Sequence, residues 1–239
     1  EASPAAAPAE KKSRWNGSVE SALEGRVRPV VGSRGMVVAE DPVAAEWGAE
    51  VLRRGGNAID AAVATGFALA VTRPHEASLG GGGFLVYCPN GKACTVIDYR
   101  EQAPGAATRD MFIREGKPRP ELSQDSALGA GVPGVTAGLL TAHEKFGRLK
   151  RSQLLVRPVE LAKRGVRFTA WEETSAAERW SVMNAAGKRL LGACDGRAKS
   201  GALPEKPCPV GTLLRQSELA ARAENAAWLE ESLGDERSR

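Results

Sequence analysis

The sequence predicts a layered α+β domain, in which helices pack on a β-sheet. Of the 239 residues, 42% are hydrophobic, which is sufficient for a buried core. The 27 glycines and the aromatic content of 5% favour a core of Ala, Val and Leu with close backbone approaches. Helical runs with clear start signals also flank a strong hairpin signal at Asn90-Gly91. These features together are typical of helix-on-sheet packing.

Two helices are predicted before the hairpin. The first begins with Asp41 as its N-cap and Pro42 at the first helical position, and Gly55 ends it. The second begins after Asn57, which can cap it, and ends before Pro74. The second helix is apolar almost all round, so we expect it to be buried on most sides.

The predicted hairpin follows a loop of four glycines, Gly80 to Gly83. FLVY (84–87) and CTVIDY (94–99) have the composition of strands and are joined through PNGK. The Asn-Gly pair in that connection is a strong short-range turn signal, so the two strands should pair with each other.

The chain beyond Arg100 is predicted to be a loop followed mainly by helices. Pro158 lies inside one helical pattern, where it must either kink the helix or limit its hydrogen bonding. The predicted helices are one introduced by Val132-Pro133-Gly134 and stopped by Gly147, one within 152–163, one at 170–184 and one at 217–229 with Ser217 as its cap.

Composition divides the chain into one domain and two tails. We expect residues 1–34 to form a mobile tail and lead-in, 35–230 to form the domain, and 231–239 to form a disordered tail. The Ala/Pro-rich start EASPAAAPAEKKS has no initial Met and is typical of a segment that follows a cleaved export signal, although trimming would look the same. We therefore expect a periplasmic or secreted protein.

The four cysteines form two close pairs along the chain. Cys88 and Cys94 flank one short loop, and Cys194 and Cys208 flank another. This spacing is compatible with two small disulfide-closed loops and also with four reduced thiols.

Charge and composition exclude several classes of partner. The net charge of +4 results from 33 basic and 29 acidic residues and indicates no particular partner. The basic region 145–167 lacks the interleaved aromatic side chains that stack on bases, so we expect a solvated helix face and no nucleic acid. No apolar run approaches the roughly 20 residues of a membrane span. With two histidines and no suitable Cys or carboxylate spacing, we expect neither a metal nor a cofactor.

His75 and the glycine loop are the first candidates for a functional site. His75 follows Pro74, so it could order the loop by hydrogen bonding or cap the helix end. Gly80 to Gly83 lack Cβ atoms and could expose N–H groups to a carboxylate or an oxyanion, or could form a flexible turn before a strand. The spacing leaves both interpretations open. His143, the other histidine, is predicted to lie on a helix surface.

Arg100 and Glu101 are the second candidates, because they follow a strand where side chains leave the sheet. An arginine in that position can bind a carboxylate through two parallel charge-assisted hydrogen bonds, and the adjacent glutamate could orient it. An ordinary surface ion pair is the alternative. The sequence contains neither a Ser-His-Asp arrangement nor a G-x-S-x-G elbow. The residues alone therefore predict a soluble α/β domain, and an anion-binding loop is one interpretation of its glycine run.

Three stretches carry a family resemblance: GMVVAEDPVAAEWGAEVLRRGGNAIDAAVATGFALAVTRPHEASLGGGGFLVY, DYREQAPGAATRDMF and ALGAGVPGVTAGLLTAHEKFGRL. They closely resemble the amino-terminal part of the gamma-glutamyltransferases, also called glutathione hydrolases. The resemblance covers about 35–165 and, more weakly, 209–221. It implies part of the αββα sandwich of the N-terminal nucleophile hydrolases, incomplete in this chain.

The resemblance also implies roles for the candidate residues. That family matures by cutting one precursor into a large and a small subunit. The new terminal threonine of the small subunit attacks the gamma-glutamyl bond of substrates such as glutathione, and the acyl group passes to water or an acceptor amine. By motif, Arg100 would bind the alpha-carboxylate of the gamma-glutamyl group, Glu101 would support it, and His75 with Gly80 to Gly83 would line or brace the cleft.

The small-subunit part of the family pattern does not occur in this sequence. Neither the Thr-Thr-His-type start nor the later glycine pair of the oxyanion hole is found in the 239 residues. We therefore expect no catalytic residue here, a small subunit as partner, and an isolated chain that is inactive and poorly soluble or oligomeric, because its sheet would have an exposed edge and an uncovered apolar face. The alternatives are a non-catalytic carboxylate-binding pseudoenzyme and a truncated remnant without a function of its own.

Overall fold

The structure is a computed structural model that describes residues 30–192 and 203–214. The chain divides after Met36 into two units. In the first unit, residues 30–36 contain no helix or strand. The second unit, from Val37 onward, contains all the helices and strands named below. Within 30–192 and 203–214, no helix has both the length and the apolar character that crossing a membrane requires.

The first two helices begin as their capping residues predict. Helix α1 spans Pro42–Arg53, and the Asp41 carboxylate caps it by accepting a backbone N–H at 3.0 Å. Helix α2 spans Ala58–Thr72 and begins with a capping box. In that box Asn57 accepts two backbone N–H bonds, while the Asp60 carboxylate accepts the Asn57 N–H at 2.8 Å. Both predicted helices are confirmed.

The predicted hairpin is confirmed as well. Strand β1, Phe84–Tyr87, pairs antiparallel with strand β2, Thr95–Asp98. In the Asn-Gly pair only Gly91 has a positive φ, 69°, so the turn is not the two-residue type I′ turn that this dipeptide usually forms. A disulfide between Cys88 and Cys94 closes the connection.

This disulfide decides between the two interpretations of the cysteines. Because Cys88 and Cys94 are bonded to each other, the interpretation of four reduced thiols is wrong. Cys208 is disulfide-bonded too, and its predicted partner Cys194 lies outside the described residues.

A second hairpin lies where the sequence predicted only a loop. Strand β3, Ile113–Arg114, pairs with strand β4, Lys117–Pro118. Glu115 and Gly116 connect them with φ values of 53° and 73°, which is typical of a type I′ turn. Glutamate is uncommon at such a position, so this turn lacks the usual Asn-Gly or Asp-Gly signal. Two short elements follow it, helix α3 at Pro120–Gln124 and a 3-10 helix at Ala127–Gly129.

The rest of the described chain is mainly helical. Its elements are helix α4 at Val135–Phe146, helix α5 at Arg151–Arg164, helix α6 at Ala170–Arg179, helix α7 at Ala185–Gly192, and strands β5, Val166–Arg167, and β6, Leu213–Leu214, which pair with each other. The helix predicted over 170–184 begins at Ala170 as expected, but its predicted end is wrong: it ends at Arg179, and Asn184 begins a new helix by accepting the Gly187 N–H at 2.8 Å. The helix predicted at 217–229, the C-terminal tail and residues 1–29 lie outside the described residues.

Helix α2 lies at the centre of the main core. It contacts α1, α4 and α5, and α4 in turn contacts β1 and β2. Phe67 and Val63 on α2 are almost completely buried, and each such side chain contributes about 1.5–3 kcal/mol to stability. The predicted burial of α2 on most sides is confirmed. The mixed arrangement of helices and strands is compatible with an incomplete α+β fold.

Pro158 lies inside α5 and does not end it. Because proline has no N–H, the carbonyl of Leu154 one turn earlier lacks its intrahelical donor. The indole Nε1 of Trp47 on α1 donates to that carbonyl at 2.9 Å. The predicted loss of a helical hydrogen bond is therefore compensated by a side chain of the neighbouring helix, in a region where Leu154 is fully buried.

The sequence predicted that His143 lies on the helix surface, but the structure places it in a largely buried position. Its side chain is 13% exposed, and its Nε2 lies 2.8 Å from the Leu149 carbonyl and 3.7 Å from Asp60 Oδ1. Asp60 is fully buried and also accepts the backbone N–H groups of Arg148 and Leu149. His143 follows the buried Leu139 by four residues, which places it on the inward face of α4. The prediction of a surface histidine is wrong for this reason.

Candidate functional site

The predicted site begins where β2 ends, and the backbone there is held on both sides. Tyr99 donates its N–H to the Gly83 carbonyl at 3.0 Å and accepts the Gly83 N–H at 3.3 Å. Further along, Gln102 and Val132 exchange hydrogen bonds of 3.3 and 2.8 Å. The segment 100–101 therefore lies between two paired positions, and its course is set by the hairpin and by the loop before α4.

Arg100 extends from this segment toward solvent. Its side chain is 66% exposed, and its Nε lies 3.5 Å from Glu101 Oε2. Its backbone N–H donates to Asp98 Oδ1 at 3.0 Å. Within the part of the chain that the structure describes, its two Nη atoms have no hydrogen-bond partner, so both are available to a carboxylate. The geometry fits a carboxylate-binding arginine and also a surface ion pair, the two predicted alternatives.

Glu101 is surrounded by glycines of two loops. A Cβ on Gly82 would lie 2.6 Å from both the backbone nitrogen and Oε2 of Glu101. A Cβ on Gly131 would lie 2.8 Å from Glu101 Cβ, and one on Gly81 would lie 3.7 Å from Oε1. Larger residues at Gly82 or Gly131 would displace the glutamate, so these glycines permit the close approach that holds it beside Arg100.

The glycine loop is bonded within the protein rather than free. Gly81 donates its N–H to the Ser78 carbonyl at 3.1 Å, and the Gly83 N–H is used by Tyr99. The carbonyl of Gly81 accepts the N–H groups of Gly134 and Val135 at 2.9 and 3.1 Å, at the start of α4. This carbonyl takes the place of a side-chain cap, which α4 lacks. Of the four loop glycines, Gly80 and Gly82 are the two whose N–H groups have no acceptor among the described residues.

His75 lies in a segment that is braced by α6. Its Nε2 is 3.7 Å from Glu76 Oε2, and Glu76 Oε1 accepts the indole N–H of Trp171 at 2.8 Å. Two residues earlier, Arg73 forms a 3.0 Å ion pair with Glu172, and both side chains are at most 15% exposed. The described contacts of the His75 side chain join it neither to the end of α2 nor to the glycine loop.

Tyr99 belongs to the site, although the sequence did not single it out. Its ring packs between Gly83 on the hairpin and Gly138 on α4. Burial raises the pKa of its phenol. The signal that would have found it is the pair Gly134 and Gly138, which are four residues apart on one face of a helix and so mark a close approach to another segment.

A surface cleft of about 470 Å³ lies elsewhere, between α1 and α5, and contains none of the predicted site residues. Its charged walls are paired within the protein. Hydrogen bonds from Arg54 and Arg157 hold the pKa values of the Glu50 and Glu160 carboxyls below their ordinary range. Among residues 30–192 and 203–214, no group of three or more His, Cys, Asp or Glu side chains is placed to hold a metal ion.

Comparison with known proteins decides the family. Residues 44–227 match the sequence model of the gamma-glutamyltranspeptidase family, a range that includes Arg100, Glu101, His75 and the whole glycine loop. The chain belongs to the gamma-glutamyltranspeptidase family. The resemblance found in the sequence is thereby confirmed, and it covers the amino-terminal part of the family's large subunit.

The family members that the chain resembles are longer than the chain. It is 44% identical over 138 residues to the glutathione hydrolase proenzyme of Escherichia coli (strain K12), covering 57% of this chain and 24% of that protein. To the glutathione hydrolase proenzyme of Pseudomonas aeruginosa it is 39% identical over 182 residues, covering 76% and 32%. The crystal structure of Helicobacter pylori gamma-glutamyltranspeptidase matches with a TM-score of 0.72 and 33% identity, over 84% of this chain and 56% of that chain. The chain thus spans 24% to 32% of these two curated relatives, and its structural neighbours support the fold of the N-terminal nucleophile hydrolases.

Proposed function

We propose that this chain is the large-subunit portion of a gamma-glutamyltransferase, which transfers the gamma-glutamyl group of glutathione to water or to an amino acid or peptide acceptor. The observation that carries the proposal is the position of Arg100, whose guanidinium is exposed at a strand end while its backbone is held on both sides. The names of the relatives, glutathione hydrolase proenzymes, support this class of substrate.

In this proposal Arg100 binds the alpha-carboxylate of the gamma-glutamyl group. The planar guanidinium matches a carboxylate with two parallel hydrogen bonds, and a charged hydrogen bond contributes about 1.5–3 kcal/mol. Glu101 restricts the rotation of the guanidinium through its contact with Nε and leaves the Nη atoms to the ligand. Gly80 to Gly83 lie beside this pair, and His75 would line or brace the cleft as the family motif implies.

The attacking group comes from a partner polypeptide in this proposal. A small subunit supplies a terminal threonine, whose own amine serves as the base. The exposed outer face of the hairpin supports such a partner, since Phe84, Val86 and Val96 are 59%, 63% and 61% exposed. An apolar sheet face of this kind is usually covered, here by the second sheet of an αββα sandwich.

We also propose a periplasmic or secreted location. Disulfides persist mainly in oxidising compartments, and the bond between Cys88 and Cys94 is such a feature.

Calorimetric titration of the purified chain tests the role of Arg100. The ligands are L-glutamate and 4-aminobutyrate, which lacks the alpha-carboxylate. We expect Arg100→Ala to weaken glutamate binding by roughly 10- to 100-fold, the loss of a charged hydrogen-bond pair, and to leave 4-aminobutyrate unaffected. The matched control is Arg53→Ala, because Arg53 is 57% exposed and is also paired with a nearby glutamate.

The outcomes separate the competing functions. A folded chain that does not bind glutamate would contradict carboxylate recognition and would favour a remnant without function. Release of nitroaniline from a gamma-glutamyl anilide by the chain alone, abolished by Arg100→Ala, would contradict the assignment of the nucleophile to a partner. A Thr-Thr-His segment in the adjacent coding region supports the enzyme, whereas its absence together with glutamate binding would favour a pseudoenzyme.

A further inference from the structure

We propose that Tyr99 is the positioning residue of this site: its ring and carbonyl, enclosed by glycines, set the direction of Arg100 and so the affinity for an alpha-carboxylate. This inference rests on the proposed function, because it assigns the binding step to Arg100. It concerns a residue that would not itself touch the ligand.

The ring of Tyr99 fills a slot with no room for a methyl group on the Gly138 side and little room on the Gly83 side. A Cβ on Gly138 would overlap the ring and would lie 2.5 Å from Tyr99 Cβ. A Cβ on Gly83 would lie 3.0 Å from Cε2 and 3.2 Å from Oη. The ring is therefore fixed between the hairpin and α4, and it cannot shift without moving one of them.

The peptide group that leads to Arg100 is enclosed in the same way. A Cβ on Gly82 would lie 2.7 Å from the Tyr99 carbonyl oxygen, and one on Gly134 would overlap that oxygen. Arg100 has no comparable contacts of its own, since its side chain is 66% exposed and has one ion pair at 3.5 Å. The direction of Arg100 is thus set by the residue before it.

The alternation of side chains explains how this works. In extended backbone, successive side chains point to opposite sides. Tyr99 packs inward against α4. Glu101, whose side chain is 35% exposed, lies close to Gly82 and Gly131. Arg100, between them, is directed outward. If the ring left its slot, the outward direction of Arg100 would no longer be fixed by the residue before it.

The shape of the ring, and not its hydroxyl, carries this role. Within the described residues, Tyr99 Oη has no hydrogen-bond partner, although its side chain is partly buried. A phenylalanine would fill the same slot. This separates a positioning role from direct contact between the hydroxyl and a ligand.

The test compares variants that disturb the slot with one that disturbs the fold elsewhere. Gly138→Ala forces the ring out, Tyr99→Ala removes it without adding an atom, and Tyr99→Phe preserves it. The matched control is Gly48→Ala on α1, where the added methyl would overlap Thr65 Oγ1. For each purified variant we would measure the dissociation constant of L-glutamate, the urea midpoint, and the amide hydrogen exchange of residues 100–102.

We expect Gly138→Ala and Tyr99→Ala to weaken glutamate binding by about tenfold or more, because a misdirected guanidinium loses its paired hydrogen bonds. The same two variants should speed the exchange of the Arg100 amide, which donates to Asp98 in the native chain. Tyr99→Phe should bind within about twofold of the wild type. Gly48→Ala should lower the urea midpoint and leave both the affinity and this exchange rate unchanged.

Two results would overturn the inference. One is wild-type affinity or wild-type amide exchange in folded Gly138→Ala or Tyr99→Ala, while Arg100→Ala loses binding. The other is a loss of binding in Tyr99→Phe as large as that in Tyr99→Ala, which would assign the hydroxyl to ligand contact. Wild-type glutamate binding by Arg100→Ala is a different outcome, because it would contradict the proposed function itself and the binding role of Tyr99 with it.

Discussion

Replacing Trp47 with phenylalanine removes the donor that compensates for Pro158 in α5. The Trp47 indole donates to the carbonyl of Leu154, which is fully buried, and Pro158 has no N–H to take its place. A buried carbonyl that loses its donor costs about 1–3 kcal/mol, and the smaller ring also loses packing contacts. We expect Trp47→Phe to lower the free energy of unfolding by about 2–4 kcal/mol.

A double-mutant cycle with Pro158→Ala separates the hydrogen bond from the packing. Alanine at this position restores an N–H one turn after Leu154, so the carbonyl keeps a donor when Trp47 is replaced. The packing loss is the same in both backgrounds and cancels in the cycle. We therefore expect Trp47→Phe to cost about 1 kcal/mol less in the Pro158→Ala variant than in the wild type.

Urea denaturation of the four proteins, followed by far-ultraviolet circular dichroism, measures this coupling. Trp171→Phe is the matched control, because Trp171 is 57% exposed and donates its indole N–H to Glu76 instead of to the carbonyl of Leu154. Its cost should be the same with and without Pro158→Ala. If the cost of Trp47→Phe also agrees between backgrounds to within about 0.5 kcal/mol, the compensation by Trp47 is refuted.

The disulfide of the hairpin and the buried phenol of Tyr99 give two further expectations. Combining Cys88→Ser with Cys94→Ser should lower the free energy of unfolding by about 2 kcal/mol, the loop-closure entropy of so short a ring; an unchanged urea midpoint would contradict this. Because burial raises the pKa of Tyr99 in the folded state, the stability that its neutral phenol provides is complete below about pH 10 and is lost as the pH rises through the folded value. The free energy of unfolding should therefore fall more steeply above about pH 10 in the wild type than in Tyr99→Phe, and parallel curves would show that the phenol does not contribute.

The elements that could be predicted from sequence carry their own start and stop signals. Asp41 with Pro42 begins α1, and Asn57 begins α2, because a short polar side chain satisfies the first free N–H groups of a helix. The hairpin was located by its Asn-Gly pair. In all three cases the decisive contact joins residues within a few positions of one another.

The features that were missed have no clear signal in the local sequence. The turn at Glu115-Gly116 has no favourable residue at its first position, so local sequence does not mark it. Asn184 is a weak signal until its contact with Gly187 is seen. The polarity of His143 favours a surface position, but its spacing of four residues from Leu139 puts it on the inward face of α4, beside the buried Asp60.

The sequence predicted the positions of Arg100 and Glu101 but not the packing contacts that hold their segment in place. Arg100 and Glu101 followed from a strand end and a family motif, and the structure places them at that strand end. Their roles in binding, like the role of His75, stay predictions. The contact of Tyr99 with α4 joins segments about forty residues apart, and the sequence marks it only through the spacing of Gly134 and Gly138.

The glycine loop explains why spacing alone left two interpretations open. A glycine in a sequence shows only that a Cβ is absent, and two different requirements produce the same residue: an N–H that must face a ligand, and a backbone that must touch another segment. Gly82 and Gly83 meet the second requirement, since added Cβ atoms would press on Glu101 and on the ring of Tyr99. Gly81 uses its carbonyl to begin α4. Gly80 is the one glycine of the loop that fits the first requirement. An added Cβ there would lie 3.6 Å from its nearest neighbour, and its N–H has no acceptor among the described residues. These contacts favour a loop whose main contribution is to place the segment 99–101, with Arg100 providing the positive charge that a carboxylate requires.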